Sequence, residues 1–116
     1  MGAVTVNNLG EIRISDDVLA NLAGISAIGC YGIVGMASKR ATDGLVELLG
    51  SENLSRGVKV TTQGNEITID LFIIVEYGIS IAAVAQNIID TVKYNVENLT
   101  GVTVKKVNIK VEGVRV

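Results

Sequence analysis

The sequence predicts a single α+β domain, a two-layer α/β sandwich with two main helices covering one face of a mixed sheet. Three observations support this: helical periodicity at about 16–28 and 80–99, a sustained strand pattern at 67–77, and a length of 116 residues, which suits one domain over 1–116. Each helix has one apolar stripe and therefore needs one covering layer. We expect both helices on the same face of the sheet.

The composition limits both the core and the possible functions. Apolar residues make up 48% of the chain and aromatic residues 3%, so the core must consist mainly of Val, Ile, Leu and Ala. The formal net charge of −2 creates no strong field for nucleic acid or anionic lipid. Residues 1–6 lack the features of a secretory signal, and the single cysteine fits a reducing compartment. We expect a cytoplasmic protein without direct membrane insertion.

The first predicted helix spans about 16–28. Ser15 offers a hydroxyl to cap it, and Asp16 and Asp17 favour its positive N-terminal end. Gly29 stands where a left-handed residue commonly ends a helix. The residues expected to face the core are Val18, Leu19, Leu22, Ile25 and Ile28.

Short strands are expected on both sides of this helix. Residues 9–14 alternate between apolar and polar, and residues 30–36 are apolar, with Gly32 and Gly35 permitting close backbone approach or a bulge. The same two glycines formally match the GXXG loop of KH domains. Because the residues between them are apolar rather than basic, strand packing is favoured over RNA binding.

Residues 37–57 form a long polar connection, interrupted by leucines that include Leu45 and Leu48. A connection of this length is unusual in a compact domain, so we expect it to be functional or mobile. After it, Val58 and Val60 alternate with polar residues, and Gly64-Asn65 marks a tight turn into a second strand. This pattern predicts a β-hairpin.

The second hairpin strand has two different faces. Its core face carries alternating apolar residues and ends with Tyr77. The opposite face begins with polar residues but continues with Phe72 and Ile74, which need a separate cover. Two interpretations remain open: the preceding connection covers them through Leu45 and Leu48, or they meet a second copy of the chain or a membrane-protein partner.

The last two elements are an amphipathic helix and a strand. Ser80 caps the helix and Gly101 ends it. In the final strand, a change of parity between Val104 and Val107 predicts a bulge near Lys105-Lys106. The expected apolar stripe of the helix consists of Ile81, Val84, Ile88, Val92, Val96 and Leu99.

No residue set points to catalysis, a metal or a cofactor. Histidine is absent, which removes the commonest general base and metal ligand. Cys30 has no histidine partner and lies in an apolar stretch, where burial makes a thiol unreactive. The carboxylates are expected on separate elements, as ordinary caps and solvated charges. We therefore expect no catalytic residue, no metal and no cofactor.

The final strand is basic, with Lys105, Lys106, Lys110 and Arg115 opposed by Glu112 alone. Such lysines usually protect an edge strand from unwanted pairing. A weak contact with an anionic lipid or nucleic acid is the alternative interpretation of this basic patch.

Several segments occur in an order and spacing that together are typical of one known family. They are Gly10-Glu11-Ile12-Arg13-Ile14-Ser15, Cys30-Tyr31-Gly32-Ile33-Val34-Gly35-Met36, Arg56-Gly57-Val58-Lys59-Val60, and Thr100-Gly101 leading to Val107-Asn108-Ile109-Lys110-Val111. With them the chain resembles the alkaline-shock or envelope-stress-response family of Gram-positive bacteria. It is similar to a short member, without the long charged extensions of some larger ones.

The resemblance implies a cytoplasmic protein linked to cell-envelope homeostasis, and some members are held at the membrane by a separate membrane protein. No enzymatic activity is established for the family. We therefore expect a non-enzymatic interaction or scaffold protein, acting through self-association, such as a homodimer, or through a membrane-anchored protein partner. The alternative is a small-ligand or nucleic-acid-binding α+β module, which would require a basic face or a clustered site.

Overall fold

The computed structural model describes residues 2–37 and 56–116, which form six strands and two helices. The strands are β1 (Gly2–Asn7), β2 (Gly10–Ser15), β3 (Ile33–Met36), β4 (Val58–Gln63), β5 (Glu66–Glu76) and β6 (Thr103–Arg115); the helices are α1 (Asp16–Ile28) and α2 (Ile81–Thr100). The connection predicted at 37–57, with Leu45 and Leu48, lies outside this description except for its ends.

β5 is the central strand of a mixed four-stranded sheet. One edge of β5 pairs in parallel with β6 along residues 66–76. The other edge pairs antiparallel with β4 through residues 66–71 and then with β3 through residues 73–75. The predicted mixed sheet and the predicted hairpin of β4 and β5 are therefore confirmed.

The core lies on one face of this sheet, beneath both helices. The odd-numbered residues of β5 from 67 to 75 are buried in a single apolar cluster with residues of α1 and α2. The helices also meet each other, because Asn95 Nδ2 of α2 donates a hydrogen bond to Ser26 Oγ of α1 at 3.3 Å. The structure thus confirms the predicted arrangement of two helices on one face.

α1 begins and ends at the predicted residues, but it buries a different face, and Gly29 at its end is right-handed, with a φ of −72°, rather than left-handed. Ser15 Oγ accepts a hydrogen bond from Val18 N at 3.3 Å and caps the helix. Contrary to expectation, Val18, Ile25 and Ile28 are 48%, 61% and 40% exposed. Small residues bring a helix backbone close to its neighbours at high packing density, so the small-residue stripe lies against the core. The buried residues are Leu19, Ala20, Ala23, Gly24 and Ala27.

The stripe predicted for α2 is right at its centre and wrong at its ends. Ser80 Oγ accepts a hydrogen bond from Ala83 N at 3.4 Å, and Gly101 ends the helix with a φ of 74°. Ile81 and Leu99 are 43% and 69% exposed, because the core stops about one turn short of each helix end. The buried residues are Val84, Ile88, Val92 and Val96.

Bulges interrupt two of the three strands that pair with β5, namely β3 and β6. Ile67 pairs with Val104 and Thr68 pairs with Lys106, so Lys105 is the extra residue; the bulge predicted near Lys105-Lys106 is confirmed. A second irregularity in β6 makes Glu112 an extra residue, and β3 is irregular between residues 33 and 35. These bulges increase the local twist of the sheet.

Tyr77 does not belong to the core face of β5, as the sequence pattern suggested. β5 ends at Glu76, and the Tyr77 side chain is 74% exposed. Gly78 follows with a φ of 90°, a left-handed conformation that ends the alternation of the strand. The pattern of period two therefore stops one residue earlier than predicted.

The N-terminal hairpin of β1 and β2 forms a separate two-stranded sheet. The sequence predicted only its second strand. Asn7 Oδ1 accepts hydrogen bonds from the backbone N–H groups of Leu9 and Gly10 at 2.8 and 3.0 Å, which is the local turn chemistry of asparagine. Thr5 Oγ1 donates to Asn65 Oδ1 at 3.2 Å and ties the hairpin to the β4–β5 turn.

Candidate interaction surface

The sheet face opposite the helices brings together two groups of residues that the sequence predicted separately. In the parallel register of β5 and β6, Lys110 lies beside Phe72, and Lys106 lies beside Thr68. Paired residues present their side chains on the same side of a sheet. We call this surface the far face; it comprises Lys59, Thr61, Thr68, Asp70, Phe72, Ile74, Lys106, Asn108 and Lys110.

The apolar residues of the far face differ in exposure. Phe72 is half-buried, whereas Ile74 is only 4% exposed. Ala37 is fully buried beside them, and its backbone N–H donates to Phe72 O at 2.8 Å. Ile74 and Ala37 stand apart from the apolar cluster beneath the helices. The far face therefore contains a small apolar site of its own, and its cover by Leu45 and Leu48 remains a prediction.

The polar part of the far face is cationic. Asn108 Nδ2 donates to Asp70 Oδ1 at 2.8 Å across β5 and β6. Within residues 2–37 and 56–116, the one ion pair joins Arg13 Nε to Glu11 Oε2 at 2.7 Å. The hydrogen bond from Arg13 to Glu11, together with the charge attraction between the two side chains, raises the pKa of Arg13. The basic residues without an ion pair in the same ranges include Lys59, Lys105, Lys106, Lys110 and Arg115.

Arg115 and Lys105 occupy different positions from the two lysines of the far face. Arg115 lies at the end of β6 beside Glu76, where its carbonyl oxygen accepts a hydrogen bond from Tyr77 N at 3.0 Å. Lys105 is the bulged residue of β6. The predicted basic patch is therefore a row along an edge strand, and only its middle part borders Phe72.

The groups with reactive chemistry are dispersed in the part of the chain that the structure describes. The Cys30 thiol is buried and lies 3.6 Å from Ser26 O, to which it donates. No three side chains of His, Cys, Asp or Glu come together there as a metal site would require. Neither α1 nor α2 has the length and apolar character of a membrane-spanning helix.

The sequence pattern did not predict a second exposed surface, which lies around Tyr31. Tyr31 is 78% exposed in the turn between α1 and β3, where a shallow cleft of about 380 Å³ is lined by Tyr31, Ile79, Ala83 and Asn87, among others. Both Tyr31 and Tyr77 precede a glycine, and glycine after an apolar run is a signal for a turn. That signal places a tyrosine at the surface rather than in the core.

The fold and the far face define a two-layer α+β domain with an apolar and cationic surface on the side of the sheet without helices. The model of the alkaline-shock protein 23 family, described as having a cell envelope-related function, matches residues 4–116, and the chain belongs to this family. The resemblance that the sequence predicted is thereby confirmed.

Three relatives illustrate the range of similarity. The chain is 54% identical over 108 residues to the uncharacterized protein YloU of Bacillus subtilis, covering 92% of this chain and 90% of YloU. It is 33% identical to the uncharacterized protein YqhY of the same organism, with coverages of 93% and 79%. It is 24% identical to a stress response regulator gls24 homolog of Streptococcus pyogenes, with coverages of 91% and 59%. None of these names denotes an enzyme.

Solved structures of the MamM CTD have a similar fold. One has a TM-score of 0.52 and 14% sequence identity, covering 85% of this chain and 99% of that one. A copper form of the MamM CTD has a TM-score of 0.52 and 13% identity, with coverages of 85% and 98%. At this identity the likeness concerns the fold alone, and it agrees with the predicted α+β class.

Proposed function

We propose that this protein is a non-enzymatic interaction or scaffold protein of cell-envelope stress response and homeostasis. It acts in the cytoplasm through self-association or through a membrane-anchored protein partner that brings it to the envelope. The family description and the stress-response name of the gls24 homolog support this setting. The observation that carries the proposal is the far face, where the half-buried Phe72 lies beside Lys110 on the side without helices.

The far face fits a partner segment that presents an apolar side chain flanked by acidic groups. Phe72 supplies an aromatic anchor, and interface cores are enriched in aromatic residues. Lys106 and Lys110 supply cations along β6, and the basic residues Lys59, Lys106 and Lys110 outnumber the single Asp70, whose carboxylate accepts from Asn108. Opposite charge on the partner would select this face and increase the rate of association.

One aromatic anchor does not make a stable complex. Complete burial of an exposed Phe side chain contributes roughly 1.5–3 kcal/mol, and Phe72 is already half-buried, so a partner gains less than this. The loss of translational and rotational freedom on association offsets more than that gain. The partner must therefore add contacts along β4 and β6. The charged residues on both sides of Phe72 are available for such contacts.

A pull-down with the full chain as bait tests this proposal, using a detergent-solubilised lysate of Bacillus subtilis. The test variant combines Phe72→Ser with Lys110→Glu. The matched control combines Tyr94→Ser with Lys93→Glu, the same types of change on the exposed side of α2, where Tyr94 is 67% exposed. We expect a captured envelope protein to be lost with the test variant and retained with the control. Capture of the same proteins by all three baits would reject the far face as the binding site.

A further inference from the structure

We propose that two copies of this chain pair antiparallel through the outer edge of β6, with Ile109 on the two-fold axis. The inference rests on the self-association part of the proposed function and names the surface that performs it. The four-stranded sheets of the two copies would then join into one continuous sheet. This interface lies along the outer edge of β6 and leaves Phe72, on the central strand β5, available to a partner.

The outer edge of β6 is long and has no strand partner in the part of the chain that the structure describes. β6 has 13 residues, and its ladder joins it to β5 on one side. The backbone N–H and C=O groups of an edge strand are a ready template for another strand. Pairing a strand with its own copy gives a closed two-fold dimer, the commonest symmetry of soluble oligomers.

The fold itself limits which part of this edge can pair. At the beginning of β6, Val104 N donates to Glu97 Oε2 at 2.9 Å, and Lys105 is bulged. Near the end of the strand, Glu112 is the extra residue of the second irregularity. The stretch from the residue after the first bulge to the second extra residue is 106–112, and its middle residue is Ile109.

The apolar residues of β6 match themselves in this register. With Ile109 opposite Ile109, Val107 of one copy lies opposite Val111 of the other. Val111 is 37% exposed and Ile109 is half-buried on the helix side of the sheet, whereas Val107 is 7% exposed. The more exposed Val111 of one copy thus lies beside the buried Val107 of the other. Such apolar pairs across neighbouring strands stabilise a sheet.

The charges of β6 select the same register. With Ile109 on the axis, Lys106 of each copy lies opposite Glu112 of the other, so the dimer contains two pairs of opposite charge. Moving the axis to Asn108 places Lys106 opposite Lys110, and moving it to Lys110 places Lys110 opposite itself. Like charges directly opposite each other destabilise a strand pair. The lysines of β6 therefore disfavour pairing with other strands but permit pairing with a second copy of this chain when Ile109 lies on the axis.

Sedimentation equilibrium of the full chain, with a charge exchange, tests the proposal. Glu112→Lys or Lys106→Glu alone should raise the dimer dissociation constant about tenfold, because two pairs per dimer change from attraction to repulsion. The double variant Lys106→Glu/Glu112→Lys should restore the dissociation constant to within about threefold of the unchanged chain. The control Lys59→Glu, on β4 across the sheet from β6, should leave it unchanged.

Disulfide trapping gives an independent readout of the register. In a Cys30→Ala background, Ile109→Cys places one thiol opposite its own copy, since facing residues in an antiparallel pair have Cα atoms about 4.5–5.5 Å apart. We expect a disulfide-linked dimer from this variant. A Lys106→Cys variant should stay monomeric under the same oxidation, because position 106 faces position 112.

The outcomes separate this inference from the proposed function. A chain that remains monomeric at all concentrations, or a double variant that does not recover the dimer, overturns the pairing through β6. Phe72→Ser alone tests the far face in the pull-down without changing the dimer interface, because Phe72 lies on β5. The Glu112→Lys variant should still capture the partner of the far face.

Discussion

Thr62 Oγ1 donates a hydrogen bond to Asp16 Oδ1 at 2.7 Å and so ties the first turn of α1 to β4. Replacing Thr62 by Val removes the donor and leaves the partly buried Asp16 carboxylate without it. We expect Thr62→Val to lower the free energy of unfolding by about 1–2 kcal/mol, measured by urea denaturation. Thr61→Val, on the other face of the same strand, is the control and should change it by less than about 0.5 kcal/mol. Equal effects would show that the hydrogen bond contributes nothing.

The buried face of α1 can be tested with two large apolar residues of the same helix. Leu19 is fully buried, and Ile25 is 61% exposed. We expect Leu19→Ala to lower the free energy of unfolding by about 2–5 kcal/mol and Ile25→Ala to change it by less than about 0.5 kcal/mol. Thermal unfolding followed by circular dichroism measures both. A large loss with Ile25→Ala would mean that this side of α1 is covered.

Gly32 and Gly78 have nearly the same backbone conformation in different surroundings. Their φ angles are 89° and 90°, but a Cβ atom on Gly32 would lie 2.8 Å from Val84 Cγ2, whereas one on Gly78 would have no neighbour within 4 Å. Gly78→Ala should cost about 1–2 kcal/mol from the backbone alone. Gly32→Ala should cost about 1–3 kcal/mol more, since it also overpacks the core. Denaturant titration of both variants measures the difference in their free energies of unfolding. Equal losses would show that Gly32 does not lie too close to Val84 for a Cβ atom.

Phe72 and Ile74 should respond differently to polar replacement. Phe72→Ser should leave the monomer folded and weaken the capture of a partner, because Phe72 is only half-buried. Ile74→Thr places a hydroxyl at a position that is 4% exposed and should lower the free energy of unfolding by about 1–3 kcal/mol. Pull-down and thermal unfolding of each variant separate the two effects. If capture survives Phe72→Ser while stability collapses, Phe72 belongs to the intramolecular core.

Local signals in the sequence located most of the elements. Ser15 and Ser80 mark the starts of the two helices because their hydroxyls satisfy free backbone N–H groups. Gly101 marks the end of α2 because it adopts a left-handed conformation without strain. The parity change between Val104 and Val107 revealed the bulge in β6, since side chains alternate strictly along a regular strand. Each of these signals acts over a few residues.

The surface residues that the sequence predicted are arranged by strand pairing. Phe72 and Lys110 are far apart in the chain and become neighbours only through the register of β5 and β6. The sequence pattern placed Phe72 on the far face but did not place Lys110 beside it. The predicted contacts of Leu45 and Leu48 lie outside the residues that the structure describes.

The residue pattern alone predicts the α+β class, the two helices with their caps, the hairpin of β4 and β5 and the membership of a known family. The buried face of α1 became clear from the packing in three dimensions, because periodicity marked Val18, Ile25 and Ile28 while close packing preferred Ala20, Ala23 and Ala27. The strand order also came from the structure: the sequence suggested that β6 is an edge strand, but not that it pairs in parallel with β5. Periodicity depends on neighbours in the chain, whereas burial and strand order depend on contacts between distant segments.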